Sequence, residues 1–140
     1  MSVRSPTVPR ERTPRERPAN EPAAVAAWSP DLSQCKEETY PIEVGPEHRL
    51  MVRMNLDPDE RIVEFNLIQL VRVGVWTPVY RVCTSHAMVH VHRYRRDGTT
   101  DRIELAPITS VNDVMRAFDE QYGAILDGWD DNLRWWNGEG

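Results

Sequence analysis

From Arg61 to Trp76 the chain alternates between two kinds of side chain. Val63, Phe65, Leu67, Val71, Val73 and Val75 fall on one side of an extended backbone, while Glu64, Asn66 and Arg72 fall on the other. A run this long, apolar on one face and polar on its reverse, is the mark of a strand in a sheet covered on one side. Gly74 signals a bend before Trp76-Thr77-Pro78. Upstream, strand-like periodicity begins at Tyr40, and Glu47 to Asn55 alternates until Pro58-Asp59 breaks it. Downstream come Val79 to Cys83, a histidine-rich run from His86 to Arg95, and Thr100 to Ala106. Connections this short set consecutive strands side by side, so the spacing predicts an antiparallel meander of four to five strands.

The C-terminal segment changes period. Val111, Val114, Met115, Phe118, Tyr122, Ile125, Leu126, Trp129, Leu133 and Trp136 recur at steps of three and four, which draws one apolar stripe along a helix. Ser110, with Asp113 three residues on, reads as an N-cap with a capping box. Gly123 and Gly128 each cost about 1 kcal/mol against Ala in a helix interior, yet the stripe keeps its phase across both. The expectation is one long helix, open to a kink at the glycines, packed on one face of the sheet. Strands followed by a helix make this an α+β chain.

Residues 1–38 differ in kind. Six of the 11 prolines stand here among Arg, Glu, Ser and Thr, with little apolar surface to offset the entropy of ordering the backbone. They are expected to form a disordered Pro/Arg-rich arm, with Ala23 to Trp28 a brief helix whose Trp28 docks on the domain. Residues 39–140 then form a single α+β domain. The arm carries five Arg and one Lys against six acids, so the net charge of -5 belongs to the domain, where 11 Arg face 16 acids. An acidic domain argues against non-specific duplex binding, which releases counterions from a basic face. A nucleic-acid partner would need a local basic patch. Two cysteines, Cys35 and Cys83, make no disulfide framework and point to a reduced, cytoplasmic setting. No run approaches the ~20 apolar residues that span a bilayer, and the apolar stretch before Trp28 is too short for a secretion signal.

Chemistry-bearing residues gather between Tyr80 and Gly98, which hold three of the four histidines, Cys83 and a turn signal. Read as a strand from residue 86, Ala87, Val89 and Val91 share one face, and His86, Met88, His90 and His92 the other. A three-residue loop of Arg96, Asp97 and Gly98 sets Arg95 opposite Thr99, Arg93 opposite Asp101, Val91 opposite Ile103, His90 opposite Glu104 and Val89 opposite Leu105. A two-residue Asp-Gly loop would mix the faces. Arg102 then lies on the histidine face, with Arg93 and Arg95 on the reverse.

The block Arg81-Val82-Cys83-Thr84-Ser85-His86-Ala87-Met88-Val89-His90, followed by Asp97-Gly98 and a Trp-containing helix, resembles an uncharacterised domain family of bacteria and archaea. That family carries a pattern close to R-Y-D-T-A-H-G-F-x-H. The resemblance covers roughly residues 60 to 136, departs at Val82 and Cys83 where the family has Tyr and Asp, and brings no assigned activity. More distantly, the block is similar to TumE-like toxins of toxin and antitoxin pairs, which have an R-Y-D-N strand before a histidine cluster. This implies a toxin-like or mobile-element-associated accessory role, with an antitoxin-like protein as partner. Cys83 in place of the Asp leaves no carboxylate at that position.

Three uses of the histidines are open. In the first, His90 and His92, ~6.6 Å apart along the strand, converge on a divalent ion such as zinc, with Glu104, His86 or His48 completing the set. In the second, His86, His90 and His92 divide acid and base roles on a phosphodiester, and Arg81 or Arg102 stabilises the developing charge. His86 must then sit in a bend, because a straight strand holds it ~13 Å from His90. In the third, the histidines bond to strand neighbours, Cys83 is a small buried hydrophobe, and the exposed sheet face binds a protein. Trp129, Trp135 and Trp136 are expected to pack in the core or at its edge, since residues 111–140 carry seven acids and two Arg.

Overall fold

The computed structural model describes residues 28–139. After a single 3₁₀ turn at Leu32–Gln34, six strands follow in order. They are β1 (Lys36–Gly45), β2 (His48–Leu56), β3 (Ile62–Val73), β4 (Val75–Ser85), β5 (Met88–Tyr94) and β6 (Thr100–Pro107). Every neighbouring pair is antiparallel and the spatial order is the chain order, so the α+β meander holds with six strands rather than four to five. Two helices follow where one was expected, α1 (Val111–Asp127) and α2 (Trp129–Trp136).

The strand count was hidden at the start and in the middle of β1. It starts at Lys36, inside the stretch expected as arm, and its alternation of Tyr40 and Ile42 is interrupted by Pro41. An edge strand tolerates proline because half its donors face away from the sheet. Residues 1–27, with the start of the expected Ala23–Trp28 helix, lie outside the described residues, while Trp28 packs against the main core cluster as expected. At Gly74, φ is +85°, a value glycine adopts without a Cβ clash, and the chain turns there fully: Val73 pairs with Val75. The expected bend is thus a tight hairpin, and Val73 and Val75 stand at its exposed tip.

The helix breaks at Gly128, whose N–H turns back to the carbonyls of Ala124 and Leu126, while Gly123 stays within α1. A Cβ at position 128 would stand 3.2 Å from the Ala124 carbonyl oxygen. Ser110 caps α1 by accepting from the Asp113 N–H, and Asp113 in turn accepts from the N–H and hydroxyl of Thr109. The helices cover one sheet face. Leu50, Val52, Phe65, Leu67, Val82, Val89 and Val91 meet Val114, Ile125 and Trp129 there, and Val71 and Val79 meet Trp136. Trp135, at the edge, is stacked by the guanidinium groups of Arg93 and Arg95 at 4.2 and 3.8 Å. Among the described residues no helix is long and apolar enough to cross a membrane.

Two polar side chains, Thr84 and Gln69, sit inside the apolar layer, and Thr84 accepts from the Phe65 N–H at 3.1 Å. Gln69 is fully buried, donates from Nε2 to the Trp129 carbonyl at 3.1 Å, and accepts from Asn132 Nδ2 at 3.0 Å. It latches β3 to the start of α2, where the Gly128 break leaves backbone groups to satisfy. Gln69→Leu keeps the volume and strands both partners. It is expected to destabilise the fold by roughly 1–3 kcal/mol, read as a lower urea midpoint at unchanged slope; an unchanged midpoint would show that the latch contributes nothing.

Candidate functional site on the open sheet face

The face away from the helices carries the residues singled out above, and the strand registers set them in rows. Pro41, Met51, Ile68, Arg81, His92 and Arg102 stand side by side across the six strands. Thr39, Arg53, Asn66, Cys83, His90 and Glu104 form the next row. His90 and His92 therefore share the open face, with ring centroids 6.3 Å apart. The three-residue loop is as read: Arg95 N–H donates to Thr99 O at 2.8 Å, and Gly98 takes φ +94°. The register agrees from His90 to Arg93. A bulge at Leu105 then sets Val89 opposite Ala106, not Leu105.

His86 does not stand on the strand. It and Ala87, at φ +52° and +60°, make a two-residue turn joining Ser85 to Met88. A type I′ hairpin turn needs positive φ at both central positions and favours Asn-Gly, which is why a His-Ala turn is invisible to turn chemistry. His86 lines a concavity of about 320 Å³ with Trp28, Leu32, Glu64 and Ser85, apart from the rows of His90 and His92. His48 is likewise elsewhere, on the helix side, edge-on to Trp129.

His90 is 1% exposed, and both of its nitrogens are engaged. Nε2–H donates to the Ser85 carbonyl at 3.1 Å, and Nδ1 accepts from Arg102 Nε at 3.2 Å. Only the neutral ring with its proton on Nε2 makes both bonds. Burial, and then the Arg102 guanidinium, hold the imidazolium below its ordinary range, against the opposing pull of the Ser85 carbonyl and Glu104. His92 is half-buried and also held low, first by burial, then by Arg81, His90 and Arg102. Its Nε2 lies 3.7 Å from Cys83 Sγ. Burial pushes the Cys83 thiol up in spite of Arg81 and Arg102, so Cys83 is a protonated core-type cysteine and not an activated nucleophile.

These contacts bear on the expected ligand set of His90, His92 and Glu104. An H-x-H spacing puts two rings on one face, but it does not aim two lone pairs at one point. His90 spends its nitrogens on Ser85 and Arg102, and Glu104 lies 3.9 Å from Arg102. Among the described residues no three His, Cys, Asp or Glu side chains gather where they could hold a metal ion. The acid and base residues are set apart: His86 sits in a turn, as that reading requires, His90 is enclosed, and His92 presents a half-exposed imidazole to the open face.

Arg81, paired in register with His92, is half-buried, and its Nε is buried with no hydrogen-bond partner among the described residues. Nor does Arg81 form an ion pair among them, in contrast to Arg49, Arg53 and Arg72 on nearby strands. The juxtaposition of Arg81, His92 and Arg102 depends on the register of β4 against β5, which the unread His86-Ala87 turn sets. No family model, curated protein or solved structure matches the chain.

The neutral state of His90 has a measurable consequence. Unfolded, this histidine takes up a proton near its ordinary pKa of about 6.5, whereas the native site resists it. The stabilisation is therefore full above that value and lost as pH falls below it toward the depressed native value. Carboxylates held low, such as Asp57, Asp97 and Asp113, lose their contribution only further down. The urea midpoint is expected to fall between about pH 7 and pH 5, and His90→Gln to flatten part of that fall. A midpoint constant over this window would contradict the assignment.

Proposed function

We propose that the protein is a small interaction module, and that its open sheet face grips an anionic group of a partner, a carboxylate or phosphate, between Arg81 and His92. The observation that carries this reading is the buried, unpartnered Nε of Arg81 beside a half-exposed imidazole in the same row. A buried guanidinium nitrogen left without an acceptor is costly, and an incoming oxyanion supplies the missing acceptor in a charge-assisted bond. Arg102 on the far side of His92 adds to the positive potential and holds the second row in place through His90.

A toxin-like or mobile-element-associated role, with an antitoxin-like partner, is compatible with such a grip. In that setting the protein acts by binding rather than by cleaving. The phosphodiesterase reading has one feature in its favour, a half-exposed His92 flanked by two cations that would draw a phosphate. It lacks a second accessible acid in those rows, since His90 and Cys83 are both buried. A reduced cytoplasmic setting suits the free thiols of Cys35 and Cys83.

Pyrophosphate is the probe for the grip. Its addition is expected to shift the His92 ring resonances and raise the His92 titration midpoint, and Arg81→Ala to weaken binding about tenfold or more, the worth of one charge-assisted hydrogen bond. Unmoved His92 resonances at saturating probe would sink the reading. Induced expression separates the alternatives: unimpaired growth agrees with a binding module, whereas growth arrest relieved by His92→Ala would transfer the site to the nuclease.

A further inference from the structure

β6 closes the strand order, and all eight of its residues from Thr100 to Pro107 are exposed. Its inner edge bonds to β5, and no described residue pairs with its outer edge. Ile103 and Leu105 are 38% and 47% exposed there, two of the larger apolar side chains left open to water. Natural sheets protect such edges with proline, charge or bulges. The opposite edge, β1, has Pro41 in mid-strand. On β6 the proline stands at the last position and the bulge falls at Leu105, beyond the central residues Arg102, Ile103 and Glu104.

That triplet is self-complementary. When two antiparallel copies of one strand lie edge to edge about a two-fold axis normal to the sheet, opposed residues must project to the same face. Centring on Arg102 sets it against itself, and centring on Glu104 does the same for the acid. Centring on Ile103 instead sets Arg102 opposite Glu104 of the second copy and Glu104 opposite Arg102 of the second copy, with the two isoleucines meeting on the other face. Charges that would repel a foreign edge thus select one register for a like one.

We propose that β6 pairs antiparallel with β6 of a second copy, centred on Ile103, joining two six-stranded sheets into one. The inference does not depend on the anion grip. It draws on the edge, its exposed apolar residues and the order of its charges. Strand addition of this length covers less than the roughly 1,600 Å² of a standard interface, so the dimer is expected to dissociate on dilution.

Sedimentation velocity on the full chain over a dilution series tests it. The expected result is a monomer and dimer equilibrium that Ile103→Lys abolishes. Arg102→Glu and Glu104→Arg each set like charges opposite and should each stay monomeric, whereas an equimolar mixture of those two variant chains should form a heterodimer. Because Arg102 also touches His90, the circular dichroism of each variant is compared with the parent, and Ile103→Lys supplies the arm that leaves that contact intact. A parent that stays monomeric at its highest soluble concentration overturns the proposal. So does a dimer indifferent to Ile103→Lys, or a pair of folded charge-reversed chains that fail to associate when mixed.

Discussion

Among the described residues the helices lie on one side of the sheet only, so its other side must be acceptable to water, and this asymmetry governs the described fold. Phe65, Leu67, Val82 and Val91 take the helix cover of Val114, Ile125 and Trp129, so the side chains between them in each strand are forced outward. Those outward positions hold Arg53, Asn66, Arg81, Cys83, His90, His92 and Arg102. The candidate site is therefore a product of core formation: each apolar pair that locks the register inside also fixes which polar residues become neighbours outside. A one-residue slip of β4 against β5 would bury Arg81 under the helices and expose Val82.

Much of that asymmetry was legible because it rests on local periodicity. The alternation from Val63 to Val71, the stripe from Val114 to Trp136, the Ser110 cap and the Asp97-Gly98 loop are all carried by residues near one another in sequence. What escaped reading depends on partners distant in sequence or on backbone shapes unusual for their residues. His86 and Ala87 accept positive φ without the glycine or asparagine that would announce it. Gln69 breaks an otherwise apolar face to meet Trp129 and Asn132, some sixty positions away. The enclosure of His90 by Ser85 and Arg102 follows from two hairpins at once, and the pairing of both its nitrogens cannot be inferred from an H-x-H spacing.

His90 and His92 show how one strand can set two identical side chains to different tasks. His90 is a neutral hydrogen-bond relay: it hands its Nε2 proton to a carbonyl and its Nδ1 lone pair to Arg102, fixing the guanidinium plane across the β5 and β6 pairing. Protonation would remove that acceptor and set two cations in contact, which is why burial and Arg102 act in the same direction on its titration. His92 has looser company, a thiol at 3.7 Å and arginines in register on both neighbouring strands. The same positive potential that disfavours its imidazolium would favour any anion brought beside it.

On the binding reading, the acidity of the domain becomes a filter. The row from Arg81 through His92 to Arg102 spans two inter-strand gaps, about 10 Å, close to the screening length of about 8 Å at physiological salt. Beyond that distance screening weakens the row's own potential, and a partner of dense negative charge approaches a surface whose net charge is -5. Within that distance the three groups act together and the nearest acid, Glu104, is already shared with Arg102. A partner suited to both regimes carries one or two anionic groups on an otherwise neutral or basic surface. Extended duplex nucleic acid, with a phosphate charge every ~1.7 Å of axis, would set most of its phosphates against the acidic surface around the row rather than on the row itself.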